Sequence, residues 1–230
     1  MSYPGPTGQD RQTSLMQDAV RLLLLLNTAS EPVSDPPPQE APAGSVGVVR
    51  GQVRLQKLDF WVRNPDYLAN ELLDRYESDG DETDLTLARQ ILESDEPEVR
   101  SYPMLRYLFG AYEPLDEALA VLATPGLAFA RRRGRAGKTT LWNYYVTEAG
   151  REAAEHAIAE VSVLQYYVDR TQLVVDLAAG RRGTALKGIQ YVQAEYADAA
   201  FGRLIASIAT RTRARLQELT RSSLEGRVQA

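Results

Sequence analysis

The feature that most constrains this chain is a change of period near residue 126. Up to that point apolar residues recur at helical spacing, as in Leu115, Leu119 and Leu122. Pro125-Gly126 then stops the helix. From Leu127 to Val146 the pattern is two-residue alternation in β-forming residues: Leu127 and Phe129 among small ones, then Trp142, Tyr144 and Val146 interleaved with Leu141, Asn143 and Tyr145. Thr147 is placed to cap the next helix, with Glu148 at its positive end. Two strands this short need an apolar face laid on helices. Leu127, Phe129, Trp142, Tyr144 and Val146 are expected to supply it. The expected class is therefore mainly α with a small β-hairpin.

The tip of that hairpin is basic. Residues 126–147 carry Arg131, Arg132, Arg133, Arg135 and Lys138 and no acid, although the whole chain has a net charge of −5. Residues 66–99 carry twelve acids and two arginines, and residues 203–227 carry six arginines and two glutamates. An acidic chain meets a polyanion only through a local basic patch. The acidic run reads as a solvated face.

Outside the hairpin the reading is helical. Residues 1–11 are expected to be disordered, and Leu15, Ala19, Leu22 and Leu26 mark a helix over 13–28. Residues 31–45 hold five prolines and read as a linker without a core of its own. A second helix is expected over 48–63, and Asn64-Pro65 starts a third, carrying Leu68, Leu72 and Tyr76. Thr83 or Asp84 is expected to cap a fourth. Pro97 and Pro103 bracket a short segment, and Pro114 begins the helix that ends at Gly126. After the hairpin, Ala154, Ile158, Val161, Gln165 and Val168 describe one long helix. Gly180 to Gly183 is a break, and Leu186 to Leu219 is a last helix. The two form a helical pair, 151–222, with Tyr166, Tyr167, Tyr191 and Tyr196 as candidate interface residues. A tail over 223–230 is expected to be flexible.

Three stretches carry a resemblance. They are Arg54-Leu-Gln-Lys-Leu-Asp-Phe60, then Phe109-Gly-Ala-Tyr112 leading into Leu115 to Leu127, and Tyr144-Tyr-Val-Thr-Glu-Ala-Gly150. Together they resemble a winged helix-turn-helix, the last motif being similar to the wing of MarR-like and PadR-like regulators. The likeness spans about 13–155 and implies a winged-helix domain at 46–150, with 66–99 as an acidic helical insertion and 1–45 as a flexible segment containing one helix.

Catalytic and metal chemistry find little footing. With no cysteine and one histidine, thiol nucleophiles, zinc ribbons and multi-histidine centres are excluded. His156 with Glu152 or Glu160 is a single helical pair without a third ligand. Asp79 to Asp84 lacks the spacing of a calcium loop. Gly137-Lys138-Thr139 suggests a phosphate loop, but the required first glycine is Arg132. No catalytic residue, metal or cofactor is expected. The five leucines Leu22 to Leu26 fall far short of the roughly 20 residues that span a bilayer, and the N-terminus has no secretory pattern. A cytoplasmic protein that does not enter membranes is the expectation.

The resemblance implies a regulator that touches the DNA backbone through Arg131, Arg132, Arg133, Arg135, Lys138 and Thr139, and that dimerises or binds a partner through its C-terminal helices. One conflict stands against it. Residues 111–125, where such proteins place the helix that enters the major groove, contain Glu113, Asp116 and Glu117 and no cation. The alternative is an adaptor subunit that docks protein; winged-helix middle components of multi-subunit defence or chromosome-associated ATPase systems resemble this layout.

Overall fold

A computed structural model describes residues 8–94, 105–107, 110–112, 115–134, 141–179 and 205–228. In chain order its elements are α1 (Gly8–Ala29), β1 (Glu31–Pro32), β2 (Ser45–Arg50), α2 (Gln52–Arg63), α3 (Pro65–Asp79), α4 (Glu82–Glu93), β3 (Leu105–Tyr107), β4 (Gly110–Tyr112), α5 (Asp116–Ala123), β5 (Ala128–Arg133), β6 (Leu141–Thr147), α6 (Glu148–Glu160), a 3-10 turn (Ser162–Leu164), α7 (Gln165–Leu177) and α8 (Ala209–Val228). The fold is mainly helical, with a four-stranded antiparallel sheet in the order β1-β2-β6-β5 and a separate pair β3-β4. Two units form. One comprises residues 1–58 and 114–176, the other 59–113 and 177–230. This division differs from the expected split near residues 45 and 150.

In the first unit, α1 packs on α5, α6, β2 and β6. Leu22 to Leu26 are all buried. Consecutive burial takes in every side of a helix, so α1 is a core element and not an appendage joined across a linker. Each buried leucine contributes about 1.5–3 kcal/mol. The helix also begins at Gly8, inside the stretch expected to be disordered. The proline-rich stretch is tied down as well. Glu31 and Pro32 pair with Val48 and Gly47, and Val33 N–H donates to the Val46 carbonyl at 3.2 Å. Residues 48–50, expected to open the second helix, instead belong to strand β2, paired with β6 from Ser45↔Thr147 to Arg50↔Asn143. Its valines favour a pleated surface, and helix α2 starts only beyond Gly51, at a φ of 91°.

The hairpin register runs from Ala128↔Val146 to Arg133↔Leu141. Partners in register share a face. Trp142 therefore lies with Arg132, Tyr144 and Val146, while Phe129 lies with Tyr145 on the other side. The single apolar face expected from Phe129 and Trp142 together does not exist. β6 is an inner strand, and Asn143, Tyr144, Tyr145 and Val146 are all buried. Thr147 locks the end of the hairpin to α6. Its Oγ1 donates to the Gly126 carbonyl at 2.7 Å and accepts the Gly150 N–H at 3.1 Å. A Cβ on Gly150 would lie 2.1 Å from the Leu127 carbonyl oxygen, so glycine is required there by close approach.

The long helix expected after Thr147 is interrupted. α6 ends at Glu160, and a 3-10 turn intervenes before α7. The expected helix 186–219 is also corrected. Residues 205–208 are not helical, and α8 runs from Ala209 to Val228, through the expected flexible tail. The segments around Pro97, Pro103 and Gly180–Gly183 lie outside the described residues.

In the second unit, α3 packs on α4 and both pack on α8. The expected solvated acidic face holds for Glu77, Asp79, Asp81, Glu82 and Glu93, which are exposed, but not for the rest. Asp66, Glu71 and Asp84 are buried. Gly80 closes α3 with a φ of 78°. The cap of α4 is Asp81, whose carboxylate accepts the Thr83 N–H at 2.9 Å, rather than Thr83 or Asp84. Asn64 stands at the N-cap position of α3, but its side chain donates to the Phe60 carbonyl at 2.8 Å and makes no cap bond.

Candidate interaction surface

Of the wing candidates the structure describes Arg131, Arg132 and Arg133, all on β5 and all exposed. Arg131 lies over the Phe129 ring at 4.9 Å and Arg132 over the Trp142 ring at 5.5 Å. Such stacking restrains a guanidinium without removing its donors, at about 0.5–1 kcal/mol in exposed positions. Arg131 also donates to the Ala130 carbonyl at 3.0 Å. Arg133 Nε stands 3.7 Å from the Glu40 carboxylate. Arg135, Lys138 and Thr139 lie outside the described residues. The segment that holds them joins strand to strand, whereas a phosphate loop joins strand to helix.

α5 stands immediately before the hairpin. Leu115, Ala118, Leu119 and Leu122 are buried, while Asp116, Glu117 and Ala120 face outward. Within Asp116–Ala123 the outward charges are both negative. Glu113 lies outside the described residues. The Leu127 N–H donates to the Leu122 carbonyl at 2.9 Å, so the helix passes into β5 through a tight turn over residues 124–127.

The arginines near the C-terminus meet the acidic helices. Arg215 Nη1 donates to Asn70 Oδ1 at 2.9 Å and pairs with Asp74 and Glu77. Burial works to lower the Arg215 pKa, but the hydrogen bonds and attraction of Glu77 and Asp74 outweigh it and raise it above the ordinary value. Arg213 donates to the Leu92 carbonyl at 2.9 Å. Arg89 donates to Thr220 Oγ1 at 3.0 Å. Arg75 forms a two-pronged pair with buried Asp84, and that hydrogen bonding holds its pKa up against desolvation. Asp66 Oδ2 accepts both Ser207 Oγ and the Ile208 N–H at 2.7 Å, fixing the start of α8. Its other oxygen accepts the Tyr67 N–H at 2.9 Å.

Tyr166 and Tyr167 are half-buried on α7, edge to face at 5.3 Å, with Arg170 over the Tyr166 ring. Tyr191 and Tyr196 lie outside the described residues. His156 is exposed on α6. Among the described residues no three His, Asp or Glu side chains gather as metal ligands, and no helix is long and apolar enough to cross a membrane.

Sequence reasoning missed Glu40, Asp66 and Arg215. Glu40 sat in a stretch read as linker. Asp66 meets Ser207 and Ile208, and Arg215 meets Asn70, Asp74 and Glu77, from far along the chain, so both roles need the fold. Comparison with protein-family models, curated proteins and solved structures finds no match to this chain.

Proposed function

We propose that the chain is a winged-helix adaptor subunit that binds protein rather than reading DNA. Support for the winged helix comes from element order. A helix, the strands β1 and β2, a helix, an inserted acidic unit, a helix and a hairpin follow in turn, and β2 pairs with the hairpin strand β6. The hairpin β5-β6 after α5 is the part of the arrangement that the sequence resemblance implies, and the third strand β2 adds to it. Fold by itself carries no function.

The observation that carries the adaptor reading is the outward face of α5. In a DNA reader this helix enters the major groove. Here it presents Asp116 and Glu117, which repel phosphate, and the sequence Asp116–Ala123 contains no Lys or Arg. The engagement of Arg213 and Arg215 with the acidic unit agrees, since it removes two cations from any continuous basic face. A second reading, contact of the wing with the DNA backbone, is favoured by the exposed row Arg131, Arg132 and Arg133.

The test is recovery of the tagged chain from its source cells after nuclease treatment. A stoichiometric protein that survives nuclease and is lost on Asp116→Lys/Glu117→Lys supports the adaptor reading. Recovery of nucleic acid alone, with protein contacts that vanish on nuclease, overturns it.

A further inference from the structure

We infer that the free edge of β5 is a docking site for an acidic, extended segment of a partner protein, which adds as a fifth strand to the sheet. The inference rests on the adaptor reading and names the surface and partner chemistry for it. β5 ends the order β1-β2-β6-β5, and among the described strands nothing pairs with its outer side. In an antiparallel ladder alternate residues turn their N–H and C=O groups away from the paired strand. The outer edge therefore presents a row of main-chain donors and acceptors, the template for strand addition, with the Ala130 carbonyl accepting from the exposed Arg131 side chain that an added strand would displace. The opposite edge offers nothing comparable. β1 is two residues long and includes Pro32, which has no N–H.

Charge selects the occupant. Arg131 and Arg133 rise on one face of the edge and Arg132 on the other, so an added strand meets cations on both sides. A carboxylate of this chain already lies against the row, Glu40 beside Arg133. Two of the guanidiniums are held by the Phe129 and Trp142 rings instead of being free to swing away. A second copy of β5 is a poor occupant, because it would set three arginines against three. Neutral strands gain less, because the arginines blunt the edge toward them. Exposed Leu141, opposite Arg133 in the register, adds an apolar contact on the same face.

The probe is an array of eight-residue peptides with glutamate at every second position and Val, Thr or Tyr between. The strongest binder is then measured in solution by fluorescence anisotropy with the full chain. The expected result is salt-sensitive binding, weakened at least tenfold by Arg131→Ala/Arg132→Ala/Arg133→Ala. It is also weakened about tenfold or more when alternate peptide amides are N-methylated, which removes strand hydrogen bonds and keeps every charge. Equal binding of the methylated peptide overturns the inference, because charge alone then suffices. No binding by any peptide overturns it and leaves the adaptor reading to its own test. Failure of the peptides together with triple-variant-sensitive binding of a random DNA duplex overturns both.

Discussion

Replacing Arg215 by alanine should loosen the second unit by about 2–3 kcal/mol and leave the first unit unchanged. The magnitude follows from three groups of contacts. The bond from the guanidinium to Asn70 Oδ1 at 2.9 Å joins a charged donor to a buried acceptor and contributes about 1.5 kcal/mol. The Asp74 and Glu77 carboxylates are 42% and 48% exposed, so solvent screens those two pairs to about 0.2–1 kcal/mol each. Loss of the aliphatic stem adds a little more. The chain has two tryptophans. Trp61 is buried and belongs to the second unit, and Trp142 belongs to the first. In a Trp142→Phe background, Trp61 fluorescence therefore follows urea unfolding of the second unit. Arg215→Lys keeps the charge but loses the planar fork and should fall between wild type and alanine. A change below about 0.5 kcal/mol on Arg215→Ala, the range of an ordinary surface substitution, would refute the claim that the C-terminal arginines are structural partners of the acidic helices.

Three further outcomes are expected. Asp66→Ala strips the Ile208 N–H and Ser207 hydroxyl of their acceptor, and by loss of charge-assisted bonds at a buried site it should cost about 3 kcal/mol in the same Trp61 assay. Gly150→Ala should destabilise the first unit by about 1–3 kcal/mol, the range for overpacking, despite the better helix propensity of alanine; Trp142 fluorescence in a Trp61→Phe background reads it, and a neutral result contradicts the 2.1 Å approach to Leu127. The Asp81 carboxyl is held below the ordinary carboxylate value by hydrogen bonds from Thr83. Its capping of α4 is therefore present above the unfolded-state pKa and lost as pH falls through the lowered folded value. Amide exchange over Glu82–Glu93 should accelerate on acidification in wild type, and Asp81→Asn should flatten that dependence.

The hairpin was legible in the sequence because β-period and glycine punctuation coincide there, and Thr147 was legible as a cap because its neighbours are ordinary helix signals. Strand β2 was not. Val46, Val48 and Val49 are β-formers, but six residues running directly into a helix offer too short a stretch for period alone to separate strand from helix. The acidic run is solvated only in part, at Glu77, Asp79, Asp81, Glu82 and Glu93, and which acids turn inward depends on partners. Asp84 meets Arg75 nine residues earlier, and Asp74 and Glu77 meet Arg215 from the other end of the chain. Asn64 shows the same limit locally. A residue of the right type at the right place turned its side chain to the preceding helix instead. The basic row on β5 was visible as charge, but its position at a sheet edge, with guanidiniums laid on Phe129 and Trp142, needed the register.

The central proposal is that the chain serves protein contact and not DNA. Titration of a fluorescent random-sequence duplex with the full chain, from about 50 to 200 mM salt, tests it most directly, with the Arg131, Arg132 and Arg133 to alanine triple variant alongside. The account predicts affinity no tighter than about 10⁻⁴ M at physiological salt, the weak end of non-specific binding, and no more than a small change in the variant. Tight binding whose log K falls with log salt at a slope of about −4 to −5, and which the variant loses, would contradict it.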